Sequence, residues 1–445
     1  MNRVLICGTA SGSGKTTVTC SLLAALIERG YRIASCKCGP DYIDPMFHRQ
    51  ITGIKTGNLD PYFCTELQLR QLLSIYADAD LTVIEGVMGY YDGIGCTEWG
   101  STYQVAKAVK APVILVVSPK GMSNSVGALI QGFKNYRQDS GIQGIIFNGI
   151  SAVMYQFLIP VVEQAGLKPL GFLPYQPELS VASRHLGLVT AAEIIDIRQK
   201  MTELGRLAEQ CLDLEGILAL AATAPPLREQ PLCYPQVAKI RIAVARDKAF
   251  CFIYRENIEL LEAMGAELVY FSPLVDSSLP EQIDGLYLCG GYPELYQEQL
   301  SANQNLRQQI AEKIANGLPT IAECGGFMYL HQWLGDWPMV GTIAGKAYPT
   351  PKLQRFGYLN ITAKKDNLVA LAGESIRAHE FHYWESENCG DSFGGEKAGG
   401  KSSYSCIHAT PTLYAGFPHL YFPANPKFAE NFIKKTKEYA AIHNV

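Results

Sequence analysis

The chain has 445 residues, of which 48% are hydrophobic and 18% are charged, and its formal net charge is −4. This length predicts about two to four domains, and the charge balance excludes an overall basic field for nucleic acid. No apolar run approaches the roughly 18 residues of a membrane span, and the first strand begins at Arg3, which predicts a cytoplasmic protein without a membrane segment. The 13 cysteines include no C-x-x-C pair, which indicates reduced thiols.

A glycine-rich stretch, residues 8–17, follows the apolar run 4–7 and precedes an amphipathic segment. This order is typical of a phosphate-binding loop, because glycines let backbone N–H groups approach phosphate oxygens. Thr9 stands where the strict pattern has glycine, so the loop is a shifted variant. Lys15 is expected to reach the terminal phosphates, and the Thr16 hydroxyl is expected to bind Mg²⁺. The residues expected to bind ATP are Gly12, Ser13, Gly14, Lys15, Thr16 and Thr17.

Further segments are predicted to bring acidic side chains to this loop. A turn-rich loop after the second strand carries Asp41 and Asp44, and an aspartate at a strand end beside a phosphate site suits a metal ligand. Both aspartates also suit ordinary turn initiation. The apolar strand 81–84 ends in Glu85, which would emerge near Mg²⁺. A glycine-rich loop, residues 87–93, is expected to continue over the same site.

Later apolar strands alternate with helices and lie at 112–118, 144–148 and 171–174. This alternation predicts an α/β fold with a parallel sheet covered on both faces. A proline-rich stretch then suits a linker, and the glycine- and serine-rich segment 388–403 is expected to be a flexible insertion loop. The predicted organisation is a phosphate-loop domain at 1–222, a linker at 223–238 and a second α/β domain at 239–445.

Cys324 lies where an apolar strand runs into a Gly-Gly turn and a helix. A thiol over a helix N-terminus is expected to have a lowered pKa and to be nucleophilic, although a buried core thiol also fits this position. A second glycine turn, residues 289–294, offers backbone N–H groups for an oxyanion hole. A nucleophilic cysteine needs a base. The histidines that compete for this role are His419, His379 and His382.

Eight motifs follow one another along the chain: GTASGSGKTT (8–17), KCGPDYIDPMFH (37–48), NLDPYF (58–63), IEGVMGYYDG (84–93), CGGYPE (289–294), AECGGFMYL (322–330), RAHEFHYW (377–384) and GFPHLYF (416–422). As an ordered set they resemble the cobyrinate a,c-diamide synthase family, which contains glutamine-dependent amidoligases of corrinoid biosynthesis. The likeness runs nearly end to end. Related cobyric acid synthases look less similar across 39–45 and 85–89.

The resemblance implies two joined activities. The N-terminal domain is expected to have the dethiobiotin-synthetase type of P-loop fold, and the C-terminal domain that of a class I glutamine amidotransferase. Glutamine hydrolysis would supply ammonia, and ATP would convert a substrate carboxylate into an acyl phosphate that ammonia turns into an amide. The expected site residues are Cys324 as nucleophile, His419 as base, Gly291 and Tyr292 in the oxyanion turn, Thr16, Asp41 and Glu85 as Mg²⁺ ligands, and Tyr42, Asp44, Tyr91 and Asp92 as substrate contacts.

Two positions depart from the family pattern. Cys289 stands where the family usually has proline, which the retained glycines should tolerate. Leu420 and Tyr421 follow His419 in place of the His-x-Glu of many class I amidotransferases. We therefore expect a Cys–His dyad rather than a complete triad.

The expected reaction is amidation of the a- and c-carboxylates of cobyrinate with ATP and glutamine. The same chemistry on hydrogenobyrinate or nickel sirohydrochlorin remains open, because all three carry similar acetate side chains. A P-loop switch ATPase that binds partner proteins is a third hypothesis, although it leaves the domain with Cys324 unexplained. The expected partners are a tetrapyrrole, ATP, glutamine and Mg²⁺, without nucleic acid or membrane, and a homodimer is an open option.

Overall fold

A computed structural model describes residues 1–42, 45, 53, 55–179, 197–400 and 402–443. The chain forms two compact units, Met1–Leu232 and Cys233–Val445. The division falls in the proline-rich stretch 223–238, which contains no helix or strand. Within the described part of the chain, no helix is long and apolar enough to cross a membrane. All 13 cysteines are free thiols.

The first unit is a sheet of seven parallel strands with helices between them. Its strands are β1 (Arg3–Gly8), β2 (Ile33–Cys38), β3 (Thr56–Leu59), β4 (Leu81–Glu85), β5 (Val113–Val117), β6 (Ile142–Asn148) and β7 (Lys168–Leu173). Its helices are α1 (Lys15–Glu28), α2 (Glu66–Ser74), α3 (Thr102–Val109), α4 (Val126–Asn135), α5 (Ala152–Gln164), α6 (Ile197–Cys211) and α7 (Leu214–Ala221). The strand order is β3–β2–β4–β1–β5–β6–β7.

The central strands β1, β4 and β5 are buried from end to end, as continuous apolar runs predict for strands covered on both faces. On one face, Leu22 of α1 belongs to the same buried cluster as Val4 of β1, together with residues of α6 and α7. Because the strands are parallel, the loops after β1, β2 and β4 leave the sheet at one edge. That edge therefore collects Lys15, Asp41 and Glu85, which are far apart in sequence.

The second unit contains two sheets. Its strands are β8 (Ile240–Ala245), β9 (Ala266–Phe271), β10 (Gly285–Leu288), β11 (Thr320–Glu323), β12 (His331–Leu334), β13 (Trp337–Pro338), β14 (Ile343–Ala363), β15 (Ser375–Ser386), β16 (Phe393–Lys397), β17 (Ser403–Cys406), β18 (His408–Ala409), β19 (Leu413–Gly416) and β20 (His419–Leu420). Its helices are α8 (Arg255–Ala263), α9 (Gln297–Ala302), α10 (Gln304–Ala315), α11 (Gly325–Leu330) and α12 (Lys427–His443).

The first of these sheets has the order β18–β19–β11–β10–β8–β9 and is parallel except for β18. The second has the order β13–β12–β14–β15–β20 and is largely antiparallel, with β16 and β17 extending it from β14. The two sheets meet where β11 ends and β20 begins. The reason is that β19 pairs with β11 in the first sheet, and β20 of the second sheet follows β19 after only two residues. This arrangement places the end of β11 and the start of β20 close together.

The prediction that residues 388–403 form a flexible insertion loop is wrong. Phe393–Lys397 pairs with β14 and forms a hairpin with Ser403–Cys406. Its glycine and serine content suggested a loop, but Phe393 and Cys406 are buried in the core of the second unit. Burial of alternate side chains on one face of the hairpin therefore outweighs the loop-like composition.

Candidate functional site

The phosphate loop lies between β1 and α1. Gly12 and Gly14 have φ angles of 76° and 95°, values that glycine adopts without steric cost. A side chain at Gly8 would place its Cβ 2.1 Å from Ser13 Oγ, so the Ser13 side chain occupies the space that glycine leaves open. Lys15 lies across this loop, and its Nζ donates to the carbonyl oxygens of Ala10 at 3.0 Å and Met88 at 2.6 Å.

Thr16 and Glu85, two of the predicted Mg²⁺ ligands, are in contact. The Thr16 hydroxyl donates to Glu85 Oε1 at 2.6 Å. Glu85 ends β4, directly beside β1, and it is fully buried. The Lys37 ammonium donates to the same Oε1 at 2.8 Å and lies 3.9 Å from Asp41 Oδ2. All three predicted ligands are thus gathered within one small polar cluster.

Lys37 is a site residue that our sequence analysis missed. It is a buried cation at the end of β2, and its register partner on β4 is Glu85. The available signal was a lysine at the end of an apolar strand beside an acid-terminated strand, since a buried ammonium needs a counter-ion. In this conformation Lys37 supplies the positive charge that pairs with Glu85, and it also lies near Asp41.

The oxygen donors of this cluster suit a hard cation. One hydroxyl and two carboxylates are the kind of ligand that Mg²⁺ takes, together with phosphate oxygens and water. Among the described residues, no group of three His, Cys, Asp or Glu side chains could hold a metal ion alone. The donor set therefore fits a metal that arrives with a nucleotide better than one held by the protein alone.

The four predicted substrate contacts have different surroundings. Tyr42 is half-buried beside Asp41, whereas Asp44 lies outside the described residues. The Tyr91 hydroxyl donates to the Phe133 carbonyl at 2.7 Å, and Asp92 accepts the Gly89 N–H at 3.0 Å. Tyr91 and Asp92 thus fix the loop after β4, and the Tyr91 hydroxyl is used inside the fold.

Cys324 occupies a sharp turn between β11 and α11. Its φ of 47° and ψ of −101° are strained for a residue with a side chain, and such strain is typical of functional turns. The Cys324 N–H donates to the Gly416 carbonyl at 2.8 Å, and only 6% of the residue is exposed. A Cβ on Gly326 would lie 2.1 Å from the Leu288 carbonyl oxygen. The Gly-Gly pair is therefore required for β10 and this turn to approach each other.

The oxyanion turn differs in one residue from our expectation. The Tyr292 N–H donates to the Ala249 carbonyl at 2.9 Å, so this amide is already used within the fold and is not available to an oxyanion. The Gly291 N–H makes no hydrogen bond to the residues that the structure describes. A Cβ on Gly325 would lie 2.9 Å from Gly291 N, and the Gly325 N–H faces the Cys324 sulfur. The two amides that converge beside the thiol are those of Gly291 and Gly325.

His419 lies over the same turn. A Cβ on Gly290 would lie 2.4 Å from His419 Cε1, which places the imidazole against the oxyanion turn. His379 stacks on His419 with ring centroids 4.9 Å apart, and its Nδ1 is hydrogen-bonded to the Tyr254 hydroxyl at 3.1 Å. His379 thus packs against the imidazole ring of His419.

His382, the remaining competitor, is held elsewhere. Its ring stacks on Phe417 at 3.8 Å, and its Nδ1 lies 2.6 Å from the Trp384 carbonyl oxygen. The geometry therefore favours His419 over His382 as the base.

A carboxylate stands beside His419 despite the missing His-x-Glu pattern. Glu323, the residue before Cys324, places Oε2 3.9 Å from His419 Nδ1, and both side chains are almost fully buried. Its Oε1 accepts the Leu420 N–H at 3.1 Å. The available signal was an acid at the end of a buried apolar strand, directly before the nucleophile. The expected dyad is therefore supplemented by an acid from another sequence position.

Burial sets the protonation of this group. It raises the pKa of the Cys324 thiol well above its usual value, with a smaller contribution from the charge of Glu294. Burial also lowers the pKa of His419 to about 3 and raises that of Glu323 to about 8. The predicted lowering of the Cys324 pKa is therefore wrong in this conformation, because desolvation outweighs the single favourable Gly325 amide. Cys324 and His419 are both neutral at pH 7.

Comparisons with known proteins identify the families of the two domains. Residues 4–189 match the family described as the CobQ/CobB/MinD/ParA nucleotide binding domain, and residues 241–426 match the CobB/CobQ-like glutamine amidotransferase domain.

Proteins named cobyrinate a,c-diamide synthase are similar to this chain over nearly its full length. That of Caldanaerobacter subterraneus subsp. tengcongensis is 37% identical, with 98% of each chain covered. That of Clostridium tetani is 38% identical and covers 98% of this chain and 100% of its own. The protein of Priestia megaterium is 36% identical, with coverages of 98% and 97%.

Replacing Lys37 with Met should destabilise the first unit by about 3 kcal/mol, because the buried Glu85 loses its cation. The double variant Lys37→Met, Glu85→Gln should lose less stability than the sum of the single variants. Native-state hydrogen exchange of the β1 and β4 amides measures both effects.

Lys107→Met is the matched control, since Lys107 pairs with Asp139 at 2.8 Å on the surface. It should have a much smaller effect on exchange. Equal effects of Lys37→Met and Lys107→Met would contradict a buried Lys37–Glu85 pair.

Proposed function

Because the chain belongs to the cobyrinate a,c-diamide synthase family, an ATP- and glutamine-dependent group of amidoligases, we propose that it amidates the a- and c-carboxylates of cobyrinate. The observation that carries this proposal is that one chain contains both a phosphate site and a nucleophile site. Lys15, Thr16 and Glu85 form a phosphate site, while Cys324 and His419 form a nucleophile site. An ATPase that acts only as a switch would have no use for the second site.

Glutamine hydrolysis begins with a neutral pair. When glutamine binds, His419 accepts the proton of Cys324, and the thiolate attacks the side-chain carboxamide carbon. The Gly291 and Gly325 amides donate to the oxyanion that forms. His419 then returns the proton to the departing nitrogen, which leaves as ammonia, and water hydrolyses the glutamyl thioester to glutamate. Glu323 acts on His419, because its anion, which forms as pH rises through about 8, stabilises the imidazolium.

In the first unit, Gly12 to Thr17 would bind the phosphates of ATP through backbone amides, and Lys15 would leave the Ala10 and Met88 carbonyls to reach the terminal phosphates. Thr16, Glu85 and Asp41 are the proposed ligands of Mg²⁺, which when bound neutralises the phosphate charge. A substrate carboxylate attacks the γ-phosphorus, ADP leaves, and ammonia displaces phosphate from the acyl phosphate.

The proposal also names a particular tetrapyrrole, cobyrinate, as the substrate. The names of the relatives favour cobyrinate over hydrogenobyrinate and nickel sirohydrochlorin. Mass spectrometry of the products formed with ATP, Mg²⁺ and glutamine tests it, with the three tetrapyrroles supplied separately. A diamide formed only from cobyrinate supports the proposal, whereas amidation of another ring alone would contradict it.

Three further statements stay predictions: the contacts of Tyr42 and Asp44 with the substrate, a homodimer and a cytoplasmic location.

Lys15→Ala should lower amidation at least about a hundredfold with either glutamine or ammonia, because the terminal phosphates lose their cation. Glutamine hydrolysis should persist, since Cys324 lies in the other unit. Amide and glutamate formation, measured separately, check this result. Lys168→Ala is the control, since Lys168 is exposed at the opposite end of the parallel sheet. Full amidation by Lys15→Ala would refute the phosphate role.

Cys324→Ser should abolish glutamine-dependent amidation, because serine is a much weaker nucleophile than a thiolate. Amidation with ammonium salts at alkaline pH should stay close to that of the wild type, since free ammonia bypasses this site. Cys233→Ser, at an exposed cysteine, serves as the control. Loss of both activities in Cys324→Ser would contradict the assignment of two separate sites.

Glu323→Gln should lower kcat for glutamine hydrolysis about tenfold to a hundredfold with little change in KM, because the imidazolium loses its anionic neighbour. The pKa of Glu323 is raised to about 8, so its anion forms as pH rises through that value. The ratio of wild-type to variant rates should therefore increase between about pH 7 and 9. A ratio that is constant with pH would indicate a purely structural role, and Glu396→Gln, at an exposed carboxylate, provides the baseline.

A further inference from the structure

Glu294 is a partly buried acid that the reaction described above does not use. It lies in the short 3₁₀ turn Pro293–Leu295, which directly follows the oxyanion turn. Its Oε2 is buried and accepts no hydrogen bond from the residues that the structure describes. Leaving a carboxylate oxygen buried without a donor is costly, so this arrangement favours a partner that arrives from outside.

The Glu294 turn is held against the nucleophile. A Cβ on Gly325 would lie 2.9 Å from both Pro293 Cδ and Gly291 N, so the turn and the start of α11 touch. The Gln297 side chain donates from Nε2 to the Glu294 backbone carbonyl at 2.9 Å and fixes the turn. The position of the Glu294 backbone is therefore set independently of its carboxylate.

The charge of Glu294 also acts on the Cys324 thiol. After burial, the charge of Glu294 is the strongest influence that raises the pKa of Cys324, ahead of Glu380 and Glu323. Burial raises the pKa of Glu294 itself to about 7. An anion beside a nucleophilic thiol opposes thiolate formation, so its presence calls for a cation that binds with the substrate.

Glutamine carries such a cation. Its α-ammonium is separated from the carboxamide carbon by Cα and two methylene groups, so a substrate attacked by Cys324 brings a cation into the same site. Building on the proposed function, we propose that the Glu294 carboxylate binds the α-ammonium group of glutamine and so selects an amino acid over simple amides.

This pairing would couple binding to activation. Once the ammonium neutralises Glu294, the negative charge that opposes the Cys324 thiolate is compensated, and His419 can take the thiol proton more easily. In the free enzyme the thiol stays protonated, because burial and Glu294 both favour the neutral form. Glutamine therefore activates the nucleophile that attacks it.

The test compares Glu294→Gln with the wild type on two substrates: glutamine, and glutaramate (4-carbamoylbutanoate), which lacks the α-ammonium. Ammonia release is measured for both. Glu294→Gln should lower kcat/KM for glutamine about a hundredfold, because a charge-assisted pair is lost. Its kcat/KM for glutaramate should be unchanged or higher, since that substrate never offered the cation.

Two further variants support the comparison. Glu294→Asp keeps the charge and should retain a larger part of the preference for glutamine than Glu294→Gln. Glu298→Gln, at an exposed acid on α9, should behave like the wild type on both substrates.

An equal loss of kcat/KM on glutamine and glutaramate in Glu294→Gln would overturn the ammonium assignment, because the residue would then act on Cys324 or on the fold. Failure of the wild type to hydrolyse glutamine would overturn the proposed function itself. The two failures are distinguished by the wild-type measurement alone.

Discussion

Both sites depend on the close approach of two backbone segments at the carboxyl ends of parallel strands. In the first unit, Gly8 lets the phosphate loop fold back over β1. In the second, Gly326 and Gly325 let the Cys324 turn pack against β10 and the Gly291 turn. A Cβ at any of these glycines would meet a neighbouring atom at less than 3 Å, and at Gly325 and Gly326 that atom belongs to the backbone, which cannot easily move away.

The approach has an electrostatic consequence, because it buries groups that ordinarily ionise. Glu85 is paired with the Lys37 ammonium and accepts a hydrogen bond from Thr16. Around Cys324 the balance is different, since Glu294 and Glu323 have raised pKa values and the thiol stays protonated. The first site thus pairs a buried carboxylate with a buried cation, whereas burial shifts the ionisable groups of the second site toward their neutral forms.

Sequence reasoning succeeded where a function depends on local order. A strand, a glycine turn and a helix predicted the surroundings of Lys15 and of Cys324, and the structure has both. It was less successful where contacts join distant segments. Lys37 and Glu323 were overlooked because each acquires its role from a neighbouring strand, and the N–H of Tyr292 is used by Ala249, a contact that no spacing indicates.

The sequence by itself determined the α/β class of both units, the phosphate loop and the sharp turn that holds Cys324, because these follow from periodicity and from glycines at fixed offsets. Only the tertiary structure decided which amides converge beside Cys324, which acid accompanies His419, and that residues 393–397 form a strand. It also decided the protonation of Cys324, since a helix N-terminus is a local feature whereas desolvation depends on everything packed around the thiol.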